Sequence, residues 1–272
     1  MHGLAGHSRR IQIPAIKLRE GGPVLLMGKV NAMRVLFIGA HPDDFEYYCA
    51  GTFARYARQG HELYVAVATN GNIGSHVNET KEGIAAIRFE EAKEACALID
   101  AKLIWMGFDD EYLIDSRETR DAFIDVVRQA KPDVIFTTNK MNDYNPDHDI
   151  AGYMAFIARI NATIPLIKTK HEPTKKIPPM FYCPPTGLAN FQPEYYVDIS
   201  DEFETKLSMW KCHKSQQAEW CDECFNADVT GSIAVNATQF AFQTGSGIKY
   251  AEVFVLCKTF PVGVAEPHKM LP

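Results

Sequence analysis

The sequence contains no segment rich in lysine and arginine. Its 28 basic residues face 34 acidic ones, which leaves a formal net charge of −6 at pH 7. Because binding to nucleic acid requires a basic surface that neutralises phosphates, nucleic acid is not an expected partner. Long apolar runs are also missing, since the longest candidates, such as residues 134–138, have the length of a β-strand. The sequence therefore predicts no membrane-spanning helix.

A regular cysteine framework is absent as well. The seven cysteines are an odd number scattered through 272 residues, a length that buries a substantial core without covalent cross-links. This pattern favours reduced thiols and a cytoplasmic protein. Residues 1–32 lack the apolar segment of a signal peptide. We interpret them as an N-terminal arm or as sequence upstream of a misplaced start codon, in either case without chemistry, followed by one domain at residues 33–272.

What the sequence does contain is an alternation of apolar runs and helical patterns. Strands are predicted at residues 34–40, 62–69, 101–106 and 133–138, and helices at 45–59, 80–99, 117–130 and 150–160. This rhythm predicts an α/β protein with a Rossmann-like, mostly parallel sheet and helices on both faces. After residue 165 the predicted elements are short strands near 180–183 and 195–198, a long helix at 201–220 and a late strand at 248–258. We interpret this part as a C-terminal elaboration of a single domain.

The loop after the first strand, "GAHPDDF", lacks the glycines of a dinucleotide-binding motif. It has no G-x-G-x-x-G pattern, and its carboxylates would repel a pyrophosphate. No serine lies in a strand-to-helix turn, which argues against a hydrolase triad. Two alternatives stay open for this loop: a plain turn that caps a helix, and a metal-free acid/base pair formed by Asp43 and Asp44.

Polar side chains follow each of the four predicted parallel strands. Because ligands bind outside the carboxyl ends of such strands, these side chains should share one crevice. They are His41, Asp43 and Asp44; Asn70, Asn72 and His76; Asp109, Asp110 and Glu111; and Asp143, Tyr144, Asn145, Asp147 and His148. Histidines with several carboxylates are the ligand set of a catalytic zinc, which takes three protein ligands and keeps one position open. The sequence therefore predicts a metal site at this edge of the sheet.

The segments "AHPDDFE" and "NPDHD" together resemble the two motifs of the LmbE/PIG-L family of zinc-dependent N-acetylglucosaminyl deacetylases. Four further segments match that family in order and spacing: "ATNGNIGS", "IRFEEAKEA", "GFDDEYL" and "KCHKSQ". The resemblance implies that His41, Asp44 and His148 are the metal ligands. It also implies that Asp43 is the general base.

The same resemblance implies contacts with the substrate. Arg88 and Asp110 lie where the family contacts sugar hydroxyls, and Tyr144 is a further candidate beside the second motif. For Arg88, an ion pair with Glu91 or Glu94 on its own helix is an equal alternative.

One position departs from the family pattern. The second motif of the family usually begins with a histidine that helps to stabilise the oxyanion or to protonate the leaving amine, and here this position is Asn145. The amide can donate a hydrogen bond to an oxyanion, but it cannot act as a general acid. We therefore expect Asn145 to be a catalytic hydrogen-bond donor and Asp43 to handle both proton transfers. His76 and Tyr144 are alternative proton donors.

The implied activity is removal of the N-acetyl group from an N-acetylglucosamine-type sugar or conjugate, with release of acetate and a free amine. Zinc is the expected cofactor, although two histidines and one aspartate also suit Fe(II) or Co(II). The alternatives are a conjugate amidase of the same fold and, because of Asn145, a disabled sugar-binding protein. The expected partners are a small acetylated amino sugar and, from the resemblance, further copies of the chain in a homo-oligomer.

The segment "KCHKSQQAEWCDEC" allows a second hypothesis about metals. Cys212, His213, Cys221 and Cys224 have a spacing that suits a structural zinc site. The alternative is a helix that carries ordinary reduced thiols.

Overall fold

Apolar side chains on both faces of the first strand explain why the fold is layered. Strand β1 (Arg34–Gly39) buries Val35 and Phe37 in one core and Leu36 and Ile38 in the other. A strand that is apolar on both faces is stable between two layers of helices. The computed structural model of the chain describes residues 32–77, 80–140, 143–188, 190–217, 228–259 and 267–272.

Within these residues, seven strands form one mixed sheet in the order β3-β2-β1-β4-β5-β7-β6. The other strands are β2 (Glu62–Thr69), β3 (Lys102–Phe108), β4 (Val134–Thr137), β5 (Met180–Tyr182), β6 (Tyr195–Asp198) and β7 (Ala251–Leu256). Strands β1 to β5 are parallel, whereas β7 runs antiparallel to β5 and β6. The predicted mostly parallel sheet is confirmed. The strand order reverses between β1 and β4, so a crevice opens at the carboxyl ends of these two strands.

Helices cover both faces of the sheet, as predicted. Helices α1 (Asp44–Tyr48), α2 (Ala50–Arg58), α3 (Lys81–Ala97) and α6 (Phe203–Trp210) pack on the Phe37 side. Helices α4 (Arg117–Ala130) and α5 (Pro146–Asn161) pack on the Leu36 side, and α7 (Val229–Thr244) packs against β6 and β7. Every helix in the described part of the chain is too short or too polar to cross a membrane.

The helix predicted at residues 45–59 is in fact two helices that meet at Cys49. The backbone of Cys49 has φ −147° and ψ 14°, outside the helical range. The carboxylate of Glu252 accepts the backbone N–H groups of Gly51 at 3.0 Å and Thr52 at 2.7 Å, and so stabilises the start of the second helix. Because Glu252 comes from distant β7, the local pattern contained no sign of this break.

The prediction of one long helix at residues 201–220 is also wrong. Helix α6 ends at Trp210, and His213 leaves the helical region with φ −81° and ψ 61° before a short 3-10 turn at Lys214–Gln216. Residues 218–227 lie outside the described part of the chain. Helix α7 was not predicted, because its sequence is rich in β-branched residues, which form helices weakly.

The division into an arm and a domain stays a prediction. Residues 1–31 are outside the described part of the chain, and the described structure begins at residue 32, two positions before β1.

Candidate active site

The loop between β1 and α1 presents the first motif at the carboxyl end of β1. A Cβ at Gly39 would lie 2.6 Å from Cε1 of Phe37 and 3.0 Å from Cβ of Asp44, so glycine is required there. Oδ2 of Asp44 accepts the backbone N–H groups of Ala40 at 2.7 Å and His41 at 3.0 Å. These bonds fold the loop back on itself. The other oxygen of Asp44 is thereby directed toward the histidines.

Three atoms of metal-ligand type converge in this crevice. Nδ1 of His41 lies 3.0 Å from Nε2 of His148, and Oδ1 of Asp44 lies 3.0 Å from Nε2 of His148 and 3.7 Å from Nδ1 of His41. Ligands at about 2.0–2.1 Å from a tetrahedral zinc are separated from one another by about 3.3 Å. All three side chains are buried. Their spacing and chemistry therefore fit a divalent metal.

A carboxylate lies behind each imidazole. Oδ1 of Asp110 is 3.0 Å from Nε2 of His41, and Oδ1 of Asp143 is 3.0 Å from Nδ1 of His148. Asp143 is held in turn by the backbone N–H of Thr186 at 2.7 Å. A carboxylate in this place determines which ring nitrogen carries the proton and turns the other nitrogen toward the metal. The arrangement leaves Nδ1 of His41 and Nε2 of His148 as the ring nitrogens that could hold a metal.

The surrounding charges favour a cation at these nitrogens. Burial by itself would lower the pKa of His148, but the charge of Asp44 and hydrogen bonds with Asp143 and Asp44 raise it to about 9. Burial also opposes protonation of His41, yet contacts with three neighbouring carboxylates raise its pKa well above the usual value. A site that stabilises protonated imidazoles also attracts a metal ion, for which the protons compete.

Asp43 lies beside this cluster and is held by Arg88. NH2 of Arg88 donates to Oδ1 of Asp43 at 3.0 Å, and NH1 lies 3.6 Å from Oδ2 of Asp110. The alternative ion pair of Arg88 with Glu91 or Glu94 is wrong, because its guanidinium lies against Asp43 and Asp110. The carboxylate of Glu91 accepts hydrogen bonds from Ser215 instead. Arg88 and Asp110 are both buried, and their predicted contacts with sugar hydroxyls stay predictions.

Asn145 starts helix α5 and faces Glu111. Its Oδ1 accepts the backbone N–H of Asp147 at 2.8 Å, and its Nδ2 donates to Oε1 of Glu111 at 2.6 Å. The side chain of Asn145 therefore caps α5 and links the second motif to the loop after β3. One N–H of the Asn145 amide donates to Glu111, so only the second N–H could donate to an oxyanion.

Asp147 connects the same loop to His41, a role that the sequence analysis did not assign. Its oxygens accept the backbone N–H groups of Glu111 at 2.8 Å and Leu113 at 3.1 Å, and Oδ2 lies 3.6 Å from Nε2 of His41. Glu111 adopts a left-handed backbone conformation with φ 65°. The position of Asp147 inside "NPDHD" was the only signal for this role.

Two tyrosines flank His148. The ring centroid of Tyr144 lies 6.0 Å from that of His148, and 75% of Tyr144 is exposed at the solvent side of the site. Tyr48 is buried, with its hydroxyl 2.7 Å from Oγ1 of Thr186 and 3.5 Å from Nδ1 of His148. Sequence reasoning missed Tyr48, although it follows Asp44 by four residues, a spacing that places two side chains on one helix face.

The hypothesis of a structural zinc meets a competing contact. Nε2 of His213 lies 3.1 Å from Oε2 of Glu46, and both side chains are fully buried. Cys221 and Cys224 lie outside the described residues. The structural zinc stays a prediction in which His213 already has another partner.

Known proteins have a similar fold and are up to 30% identical in sequence. The model of the family described as "PIG-L: GlcNAc-PI de-N-acetylase" matches residues 36–158. The chain is 30% identical over 197 residues to the uncharacterized deacetylase YaiS of Escherichia coli, covering 70% of this chain and 96% of that protein. It is 25% identical over 196 residues to the 4-oxalmesaconate hydratase of Pseudomonas putida, covering 68% and 74% of the two chains. The structure of N,N'-diacetylchitobiose deacetylase from Pyrococcus horikoshii matches with a TM-score of 0.72 and 26% identity, covering 83% of this chain and 84% of that one.

Proposed function

This chain belongs to the PIG-L family of de-N-acetylases, and on that premise we propose that it is a metal-dependent hydrolase that removes the N-acetyl group from an N-acetylglucosamine-type sugar or conjugate. The products are acetate and a free amine. The convergence of His41, Asp44 and His148 in the crevice between β1 and β4 carries the proposal. Similarity to a diacetylchitobiose deacetylase supports the class of substrate.

His41, Asp44 and His148 would hold the metal, and Asp110 and Asp143 would orient the two imidazoles. When bound, a divalent metal supplies Lewis-acid polarisation of the amide carbonyl and makes a water molecule more acidic. Zinc is the first candidate because two nitrogens, one oxygen and an open position are typical of catalytic zinc sites. Fe(II) and Co(II) suit the same ligands.

Asp43 is the proposed acceptor of the proton from the attacking water. Arg88 holds its Oδ1, and the side chain is 19% exposed, so the carboxylate is anchored and still accessible from the crevice. A positioned carboxylate removes a proton from water during attack and can return it to the departing nitrogen. Because Asn145 cannot act as a general acid, Asp43 carries out both transfers.

Three further side chains are proposed to bind the substrate. The exposed ring of Tyr144 offers an apolar face against which a sugar ring can stack. Arg88 and Asp110 are the candidates for contacts with sugar hydroxyls, and the second N–H of the Asn145 amide is the candidate donor to the oxyanion. A cytoplasmic location and assembly into a homo-oligomer stay predictions.

The direct test measures acetate and free amine in the same reaction. Protein loaded with Zn(II), Fe(II) or Co(II) is incubated with N-acetylglucosamine, N,N'-diacetylchitobiose and other acetylated amines. We expect equal amounts of acetate and amine from at least one N-acetyl sugar, loss of the activity on chelation and its return with metal. Asp43→Asn should retain the metal and lose about 10²–10⁴-fold in turnover. Asp100→Asn, an exposed change at the end of α3, is the matched control.

The other outcomes identify the alternatives. Release of free amine from amide conjugates of larger acids, with no acetate released from any N-acetyl sugar, would indicate a conjugate amidase. Saturable sugar binding without turnover by the metal-loaded protein would indicate a binding protein. Hydration of 4-oxalmesaconate without release of acetate would replace the proposal with the chemistry named for the Pseudomonas relative.

A further inference from the structure

A turn that the proposed function does not use lies behind the candidate site. His213 is fully buried beside Glu46 of α1, with Nε2 3.1 Å from Oε2. Ser215 donates its backbone N–H at 2.8 Å and its hydroxyl at 2.6 Å to the carboxylate of Glu91 in α3. Residues 213–216, here called the 213–216 turn, therefore connect α1 with the helix that carries Arg88.

Gln216 extends these contacts to the loop after β2. It is 2% exposed, and its Nε2 donates to the carbonyl oxygen of Gly74 at 2.9 Å. The same loop forms a slot around the guanidinium of Arg88, since a Cβ at either Gly71 or Gly74 would lie 2.5 Å from NH1. Because the slot has no room for another side chain, the position of the loop determines the position of Arg88.

The position of Arg88 affects that of Asp43, because Arg88 donates a hydrogen bond to Asp43 at 3.0 Å. Burying a carboxylate or an amide costs free energy unless the group is hydrogen-bonded. An apolar contact could hold the turn in place without this cost. Directional hydrogen bonds instead specify one arrangement of the groups they join.

We infer that Ser215 and Gln216 are positioning residues that hold α3 and the loop so that Arg88 orients Asp43 for proton transfer. His213 holds the same turn against α1. The inference rests on the proposed function, because the reaction is the one that Asp43 serves. It assigns a purpose to "KCHKSQ" that does not involve zinc.

The test compares steady-state kinetics of variants in the turn. We expect Gln216→Ala and Ser215→Ala to lower kcat by about 10- to 100-fold, with a smaller change in KM and full metal content. Ser215→Thr keeps the hydroxyl and should restore most of the activity. Lys214→Ala is the matched control, because Lys214 is an exposed residue of the same turn. Values of kcat for Gln216→Ala and Ser215→Ala within about twofold of Lys214→Ala would overturn the inference.

A double-mutant cycle tests whether Gln216 acts through Arg88. In an Arg88→Ala background, Gln216→Ala should change kcat by less than about twofold. If Gln216→Ala lowers kcat by the same factor with and without Arg88, Gln216 does not act through Arg88, and this part of the inference is refuted.

The inference can fail separately from the proposed function. If wild-type protein releases no acetate, the proposed function fails, and amide hydrogen exchange of residues 71–77 then decides about the turn. Exchange that is at least about tenfold faster in Gln216→Ala than in Lys214→Ala supports positioning of the loop. Equal exchange rates contradict it. If Gln216→Ala does not fold, Ser215→Ala and Ser215→Thr provide the comparison.

Discussion

The buried ion pair of Lys206 and Glu252 can be compared with the buried cluster at the carboxyl ends of β1 and β4. Nζ of Lys206 lies 2.5 Å from Oε1 of Glu252 and also donates to the carbonyl oxygen of Tyr47 at 2.9 Å. Oε2 of Glu252 accepts the hydroxyl of Thr52 at 2.6 Å and its backbone N–H at 2.7 Å. One ammonium thus meets one carboxylate, and each makes further hydrogen bonds within the chain.

The second cluster, here called the strand-tip cluster, has unbalanced charges. It consists of Asp43, Asp44, Asp110, Asp143, Asp147, Arg88, His41 and His148. It contains five carboxylates but only one permanent cation, Arg88, and two ring nitrogens face each other at 3.0 Å. Because buried charge without a partner is costly, such a cluster stabilises an added cation. The comparison indicates that the balanced pair supports the fold and that the strand-tip cluster supports binding.

The largest expected effect comes from removing a metal ligand. His148→Ala deletes one of the three converging ligand atoms, so we expect loss of most of the bound metal and of detectable turnover, measured by elemental analysis and acetate release. His171→Ala is the control, because His171 pairs with Asp125 outside the strand-tip cluster. Full retention of metal by His148→Ala would contradict the ligand assignment.

Breaking the balanced pair should affect folding instead. Lys206→Met leaves the buried carboxylate of Glu252 without its ammonium, which should lower the free energy of unfolding by about 3–5 kcal/mol in urea titrations. The folded Lys206→Met protein should still bind metal. Lys93→Met, which breaks an ion pair with Glu90 in which both side chains are 59% exposed, should change stability by less than about 1 kcal/mol. A folded Lys206→Met protein that binds no metal would remove the distinction between the clusters.

A smaller effect is expected at Asn145. Asn145→Ala should slow turnover by up to about 10²–10³-fold if the amide is an oxyanion donor, with the metal content unchanged. It also removes the cap of α5, at a cost of about 1 kcal/mol. Asn145→Ser keeps a capping oxygen but lacks the amide, so it separates the two effects. Asn145→His should be tolerated or faster. Unchanged turnover of Asn145→Ala on every accepted substrate would place the residue outside the reacting groups.

The smallest effect concerns Asp125, which pairs with His171 and belongs to neither cluster. Burial opposes ionisation of Asp125, but hydrogen bonds from His171 and Thr169 lower its pKa below the usual value. A lowered pKa stabilises the fold above the unfolded-state pKa of about 3.9, and this stabilisation is lost as pH falls through the folded-state value. Asp125→Asn should therefore be less stable than wild type at pH 7. The difference in free energy of unfolding between the two proteins, measured in urea titrations, should become smaller below about pH 4. A stability difference that does not change with pH would contradict stabilisation by the lowered pKa of Asp125.

Much of the fold was predictable because the parallel strands are strongly periodic. The continuous apolar run from Val35 to Ile38 predicts a strand buried on both faces, and the structure has it between two helical layers. Boundaries that depend on distant partners were not predictable. The break at Cys49 depends on Glu252, and the end of α6 precedes the contact of His213 with Glu46.

The candidate site divides in the same way. The motifs "AHPDDFE" and "NPDHD" predicted that His41, Asp44 and His148 would meet, and the structure brings their ligand atoms together. The motifs contained no information about Arg88 lying against Asp43 rather than Glu91, or about the amide of Asn145 donating to Glu111.

The sequence by itself determined the order of the strands along the chain, the identity of the family and the kinds of side chain at each strand end. The strands and the side chains at their ends depend on residues within one turn or one strand, and the family depends on the order of short motifs along the chain. Only the tertiary structure decided which carboxylate lies behind which imidazole, and that Gln216 closes the slot around Arg88. These contacts join residues that are far apart in sequence, such as His41 with Asp110, and they form only when the strand order places β1 between β2 and β4. The motifs therefore supply the side chains for the proposed chemistry, whereas the sheet determines where those side chains lie relative to one another.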